Sequence, residues 1–260
     1  MTVLEKIISN KKKEVAALKE QYSVRDLEKC KLFSRTTLSL SEFIVNPFRS
    51  GIVAEFKRKS PSGGIMNSNS PVEEVTKGYS SAGASGLSIL TDKLFFGGDC
   101  ADLINTRKHN KIPILRKEFI IDEFQVIESK ASGADAILLI ASLLDNKQLT
   151  TLARLSRTMN MEVLFEIHSL QELDNINEYV NIIGVNNRDL RTLTTNIELS
   201  AELADKIPGE FIKISESGIS TPQTIIDLKV AGYNGFLIGE YFMSKPDPVN
   251  AFIDFVKMIK

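Results

Sequence analysis

The chain has 260 residues, 43% of them hydrophobic and 25% charged, with a formal net charge of −1. This balance is that of a soluble globular protein long enough for one large domain. It provides no global basic field to draw the chain to nucleic acid or to anionic lipid.

Residues 2–20 read as an amphipathic helix. Thr2 and Glu5 make a capping box, and Leu4, Ile7, Ile8, Val15 and Leu18 fall near one face. The run Lys11-Lys12-Lys13 interrupts that face and reads as solvated. Two shorter helices are expected over 23–31 and 39–46, started by Ser23 and by Ser39 or Ser41. Together they form a helical extension, residues 1–47, expected to pack on the remainder of a single domain spanning 1–260. The N-terminus lacks a signal-peptide core, and the longest clean apolar run, Ala136–Leu144, is too short to cross a bilayer as a helix. Cys30 and Cys100 lie far apart without metal-type spacing and read as reduced thiols, which points to the cytoplasm.

From Ile52 onward a strand-then-helix unit repeats every 20–35 residues. Strands are expected to begin near Ile52, Leu87, Ile112, Ala136, Glu162, Asn181, Phe211 and Gly235, each dense in apolar residues as strands buried on both faces should be. Caps announce the helices between them: Ser70-Pro71 with Glu73, Ser169 with Glu172, Thr195 with Glu198, Thr221-Pro222 and Asp247-Pro248. Phe124, Ile127 and Ala131 line one face of the third such helix. Glycines 86, 133, 232 and 235 are placed in the returning turns. This alternation is that of an α/β protein with a parallel sheet, and eight units suit a closed (β/α)8 TIM barrel with extra N-terminal helices. An open doubly wound sheet is the alternative, but its usual GxGxxG loop is missing.

In such a barrel the active site lies at the C-terminal ends of the strands. Strand one there ends in Glu55 and Lys57, strand three in Arg116-Lys117-Glu118, strand five in Glu166 and His168. Strand six ends in Asn186-Asn187-Arg188, strand seven in Glu216-Ser217-Gly218, strand eight in Gly239-Glu240. Charges usually mark solvated surface, and Lys57–Glu55 or Lys117–Glu118 alone would read as weak surface pairs. Their recurrence at one mouth is costly unless they pair or work. Lys57, Lys117 and Arg188 would converge on an anion. The small residues after strands seven and eight, with a short helix expected over Tyr241–Ser244, suit phosphate. His168 reads as a local hydrogen-bonding residue and His109 as a solvated helix end. No residue cluster has zinc or calcium spacing.

The segments EFKRKSPS (55–62), LTDKLFFGG (90–98), ILRKEFIID (114–122), ADAILLIASLL (134–144), LFEIH (164–168), GVNNRDL (184–190), SESGI (215–219) and LIGE (237–240) closely resemble the indole-3-glycerol phosphate synthases of tryptophan biosynthesis. The resemblance runs in order through all eight units and the N-terminal helices. It implies a carboxy-lyase that converts 1-(2-carboxyphenylamino)-1-deoxyribulose 5-phosphate to indole-3-glycerol phosphate, carbon dioxide and water, with no cofactor and no metal. It implies Lys117 as general acid, Glu166 as base or proton shuttle, and Lys57 as a second cation. Glu55 and Glu216 would orient the lysines, while Asn186 and Arg188 hold polar groups, including the anthranilate carboxylate. Phe119 and Leu139 would wall the aromatic ring. Ser60, Ser217, Gly218, Gly239 and Glu240 would lie at the phosphate, Glu240 turning its carboxylate away and offering only its backbone N–H.

The loop 58–69, polar and Gly-rich, is expected to act as a lid. The partner expected is a small anionic phosphosugar, with no nucleic acid and no membrane, and the chain a monomer or weak homodimer. Rival readings are a phosphosugar isomerase on the same barrel, which would want a Cys or Asp base at the end of strand one, and a binding module without an acid–base set.

Overall fold

The computed structural model describes residues 2–67 and 70–259; Ser68 and Asn69, in the predicted lid, lie outside the described residues. Eight parallel strands form a closed barrel: β1 (Ile52–Phe56), β2 (Gly86–Leu90), β3 (Ile114–Lys117), β4 (Ala136–Ile140), β5 (Glu162–Ile167), β6 (Ile182–Asn186), β7 (Ile212–Glu216) and β8 (Gly235–Ile238). Each start lies within two residues of its sequence expectation. The expected TIM barrel is the fold observed. No helix among the described residues is long and apolar enough to cross a membrane.

Strand side chains alternate between two faces, and both faces are buried, which is why the strands are almost continuously apolar. Val53, Leu115, Leu138, Leu164, Ile182, Ile214 and Leu237 point inward and form one core cluster. Ile52, Ala54, Ile89, Ile137, Leu139, Phe165 and Phe236 point outward into the layer shared with the helices.

Three helices precede the barrel: α1 (Val3–Gln21), α2 (Val24–Glu28) and α3 (Leu40–Val45). Thr2 with Glu5 and Ser23 with Asp26 form capping boxes on the first two, and Ser39 caps the third. Helix α1 adds Leu4 and Ile7 to the inner core, and α3 adds Leu40 and Ile44. Gly86 and Gly235 are the first residues of β2 and β8 rather than turn residues. A Cβ on them would lie 2.6 Å from Leu40 Cδ1 and 2.7 Å from Ile44 Cγ2, so their bareness lets α3 close the barrel's N-terminal end. Gly133 and Gly232, with φ of +91° and +95°, do occupy left-handed turns.

Three predicted caps differ from the structure. Pro71, not Ser70, precedes the helix Val72–Ser81, and its side chain, which has no hydrogen-bond acceptor, leaves that helix without a side-chain cap. Glu172 accepts the backbone N–H of His168 at 2.6 Å instead of boxing with Ser169. Thr195 pairs as a bridge with Arg188, and Asn196 Oδ1 takes the N–H of Glu198 at 3.1 Å. Thr221 caps its helix with Pro222 in the first turn, as its sequence suggests.

Polar contacts anchor the extension. Lys11 is 4% exposed, so it is not part of a solvated run; only its neighbours Lys12 and Lys13 are exposed. Its Nζ lies 3.0 Å from Asp92 Oδ2, 3.0 Å from Glu118 Oε1 and 2.6 Å from Glu14 Oε2. Burial opposes its charge, but Glu118 and Asp92 hold the ammonium above its usual range. Arg35 reaches Asp135 Oδ1 at 2.5 Å, and Ser39 Oγ donates to Glu162 at 2.8 Å. Replacing Lys11 by Met would keep the volume and leave Asp92 and Glu118 buried without their shared cation. The expected loss is about 3 kcal/mol, typical of breaking a buried ion pair from one side, read as a lowered denaturant midpoint at unchanged m-value.

Candidate active site

The strand register sets the site. Glu55 lies opposite Ser88, Leu90 opposite Lys117, Glu166 between Ile140 and Gly184, and Asn186 opposite Glu216. Glu55, Glu166 and Glu216 therefore project into the barrel at one mouth, at 4%, 1% and 1% exposure. Lys117 Nζ donates to Glu166 Oε2 at 2.7 Å and to Glu216 Oε2 at 2.5 Å. Lys57 Nζ lies 3.1 Å from Glu55 Oε1, while Ser88 Oγ donates to Glu55 Oε2 at 3.1 Å. Lys117 does not pair with its neighbour Glu118, which faces Lys11 on the outer side.

Three carboxylates on two ammonium groups cannot all ionise freely in a buried site. Burial tends to strip the charge from Lys117, but Glu166, Glu216 and Glu55 hold it above its usual range. Burial likewise opposes ionisation of Glu166, yet Lys117 and then His168 keep that carboxylate below the ordinary value, with a hydrogen bond from Asn186. Glu216 goes the other way: burial, only partly offset by Lys117 and aided by Glu166 and Glu55, pushes it up to about 8. Burial thus favours a proton on Glu216, while Lys117 and Glu166 are favoured in their charged forms.

Two glycines make room for this packing. A Cβ on Gly184 would fall inside contact distance of Glu216 Oε1, and one on Gly239 would lie 2.6 Å from Glu55 Oε1. The sequence reading gave Gly239 to phosphate and missed Gly184. A glycine inside the strand segment Ile182–Asn186 was the available signal, since strand interiors use Gly where something approaches closely.

The apolar wall comes from Leu4 and Ile7 of α1 together with Leu90, Phe96, Phe119, Leu138 and Ile140. Phe119 is buried and its ring centroid lies 5.8 Å from that of Phe96. Leu139 is not part of the wall. It sits among the outward core residues, because strand alternation turns its neighbours Leu138 and Ile140 inward. Size alone does not select this site. A concavity of about 690 Å³ lies between α1, α2 and the helix Glu123–Ala131, whereas the barrel mouth measures about 100 Å³. Only the mouth gathers the acid–base groups.

Beside it lies a niche lined by Lys57, Arg188, Ser217, Gly218, Gly239 and Glu240. Ser217 and Gly218 take φ of +66° and +76°, an uncommon conformation for serine that turns the chain sharply after β7. The short helix after β8 runs Glu240–Met243, one residue earlier than expected. Glu240 does not turn its carboxylate away: Arg188 Nη2 donates to Oε2 at 2.9 Å, pairing the two over the niche. Arg188 Nη1 also donates to Ser62 Oγ, and its backbone N–H donates to Asn186 Oδ1 at 3.0 Å. Ser60 Oγ accepts the N–H of Gly63 at 2.9 Å, so this hydroxyl supports the loop after β1. Among the described residues no group of three or more His, Cys, Asp or Glu side chains is arranged to hold a metal ion.

The family model for indole-3-glycerol phosphate synthase matches residues 4–255. The indole-3-glycerol phosphate synthase of Bacteroides thetaiotaomicron is 43% identical over 258 residues, covering 99% of both chains. That of Laribacter hongkongensis is 39% identical, covering 95% of each. Among solved structures, a tryptophan synthase α subunit from Legionella pneumophila superposes with a TM-score of 0.59 at 14% identity, over 86% of this chain and 97% of that one. One from Pyrococcus furiosus gives 0.58 at 13% over 80% and 96%. At these identities the two likenesses concern the fold alone.

The charge pattern of the cluster is measurable. A protonated-carboxyl infrared band is expected that disappears as pH rises through about 8, is lost in Glu216→Gln, and titrates at lower pH in Glu166→Gln, where the neighbouring charge that helps raise it is gone. A band that follows Glu166 instead would reverse the assignment.

Proposed function

Because the chain belongs to the indole-3-glycerol phosphate synthase family, and so is a carboxy-lyase of tryptophan biosynthesis acting on a phosphorylated small molecule, we propose how its residues carry the reaction. The observation that supports the reading most directly is Lys117, held between Glu166 and Glu216 at 2.7 and 2.5 Å at the mouth of the barrel.

The anthranilate ring lies against Phe119, Phe96, Leu138 and Ile140, and the phosphate in the niche of Lys57, Arg188, Ser217, Gly218 and Gly239. Asn186 and Arg188 position the polar groups between them. The ring carbon that bears the carboxylate attacks the sugar carbonyl carbon. Lys117 donates a proton to the carbonyl oxygen as negative charge develops there. Carbon dioxide then leaves, and the electron pair of the broken C–C bond restores the aromatic ring; the apolar wall favours this by desolvating the carboxylate. In the last step Lys117, recharged with the Glu216 proton, protonates the new hydroxyl, which departs as water, and Glu166 removes a proton from the adjacent carbon so that the indole double bond forms. Glu216, neutral at the outset, is placed to return a proton to Lys117. Glu55 holds Lys57, whose charge serves the substrate's anionic end.

Beyond the shared activity, we read the protein as cytoplasmic and as a monomer or weak homodimer without nucleic-acid or membrane partners. The net charge of −1 and the two unpaired cysteines support this reading. We also retain the lid. After β1 the chain forms a small hairpin, Lys59–Ser60 against Gly64–Ile65, whose Ile65 is 76% exposed.

Two experiments test the proposal. With the carboxyphenylamino-deoxyribulose phosphate as substrate and indole fluorescence as readout, Lys117→Ala is expected to lower kcat by about 10²–10⁴, and Glu166→Gln by about 10² or more. Turnover that survives Lys117→Ala would transfer the acid role to Lys57. Amide exchange across residues 59–67 is expected to slow when a non-reacting substrate analogue binds; unchanged exchange would remove the lid.

A further inference from the structure

His168 follows the last residue of β5. Residues two apart in a strand share a face, so it returns to the side occupied by Glu166. Its Nε2 lies 3.5 Å from Glu166 Oε1. Its side chain is 15% exposed, and both ring nitrogens are buried without a hydrogen-bond partner. The sequence reading of a merely local hydrogen-bonding residue applies to its backbone, which donates to Glu172 Oε2 at 2.6 Å, and not to its ring.

A buried polar ring with neither nitrogen paired subtracts from stability. Its placement points to the groups around it. On the barrel side stands Glu166, itself faced by Lys117, Glu216 and Asn186. Asp189, in the loop after β6, also feels His168; its carboxylate accepts the N–H groups of Arg191 and Thr192 at 2.6 and 2.9 Å. On the following turn, the Glu172 carboxylate is taken by the backbone N–H of His168. The free edge of the ring is therefore turned to Glu166.

Lys117 uses Oε2 of Glu166, and Oε1 is the oxygen nearest His168. Each time Lys117 passes a proton to the substrate it is left a neutral amine and no longer balances the Glu166 charge. The only other ring or cation within ion-pair range of that carboxylate among the described residues is His168. We propose that His168 is a positioning residue for Glu166: its Nε2–H closes onto Oε1 and keeps the carboxylate ionised and aimed at the substrate proton while Lys117 is engaged elsewhere. This inference rests on the reading of Glu166 as the base.

The test compares pH profiles of kcat for the wild type, His168→Leu, which fills the space without a donor, and His168→Gln, whose amide returns one. The Leu variant is expected to lose about tenfold in kcat with KM within about twofold, and its acidic limb should move up by about one pH unit, because a carboxylate that loses a donor is more readily protonated. The Gln variant should recover most of kcat and the original limb. If His168→Leu does not fold, His168→Ala replaces it. An acidic limb unmoved in the apolar variant, or a rise in KM at unchanged kcat, would overturn the inference. Glu166→Gln is measured alongside. If it keeps wild-type turnover, the base assignment itself has failed; if it collapses while the His168 limb stays in place, only the role of His168 has.

Discussion

One ammonium between two buried carboxylates is the constraint on which the site depends. Lys117 must stay charged inside the barrel, and it does so because Glu166 and Glu216 meet it from β5 and β7. Neither carboxylate could be kept there alone, since an isolated buried charge is far costlier than a paired one. Two acids on one cation cannot both ionise easily, so burial favours a proton on one of them. The arrangement that solves a stability problem is thus also a store of protons, with donor and acceptor placed side by side before substrate arrives.

That constraint reaches into the sheet. Glu216 needs the bare Cα of Gly184 on β6, and Glu55 needs that of Gly239 after β8. The register that sets Glu166 level with Gly184 and Asn186 level with Glu216 is fixed by the inward and outward alternation of the surrounding apolar residues; a one-residue slip would exchange the core for the site. Core packing and active-site geometry are two consequences of the same pairing.

The N-terminal extension joins the two. Helix α1 lends Leu4 and Ile7 to the wall of the mouth, and Lys11 ties it to Asp92 and Glu118, the residues that follow β2 and β3. Glu118 is the immediate neighbour of Lys117 and Phe119. The same short segment therefore faces α1 with one side chain and the barrel mouth with the residues on either side of it. At the opposite end α3 seals the barrel against Gly86 and Gly235.

The βα alternation, the strand starts, the helical extension and the identities of Glu55, Lys57, Lys117, Glu166, Asn186, Arg188 and Glu216 were legible in the chain because strands buried on both faces read as short apolar runs and the charges that end them stand out against those runs. What the linear order did not decide was orientation and partnership. Leu139 and its neighbours Leu138 and Ile140 are equally apolar, and only the barrel's parity turns the latter two inward. Lys11 looks no different from Lys12 and Lys13, and only the docking of α1 buries it between two acids. His168 carries no sign of its neighbour Glu166 beyond a spacing of two. The sequence by itself determined the elements and the chemical groups available, since periodicity and composition are local properties. The tertiary structure alone decided which groups face one another, because burial and charge pairing arise between strands distant in the chain.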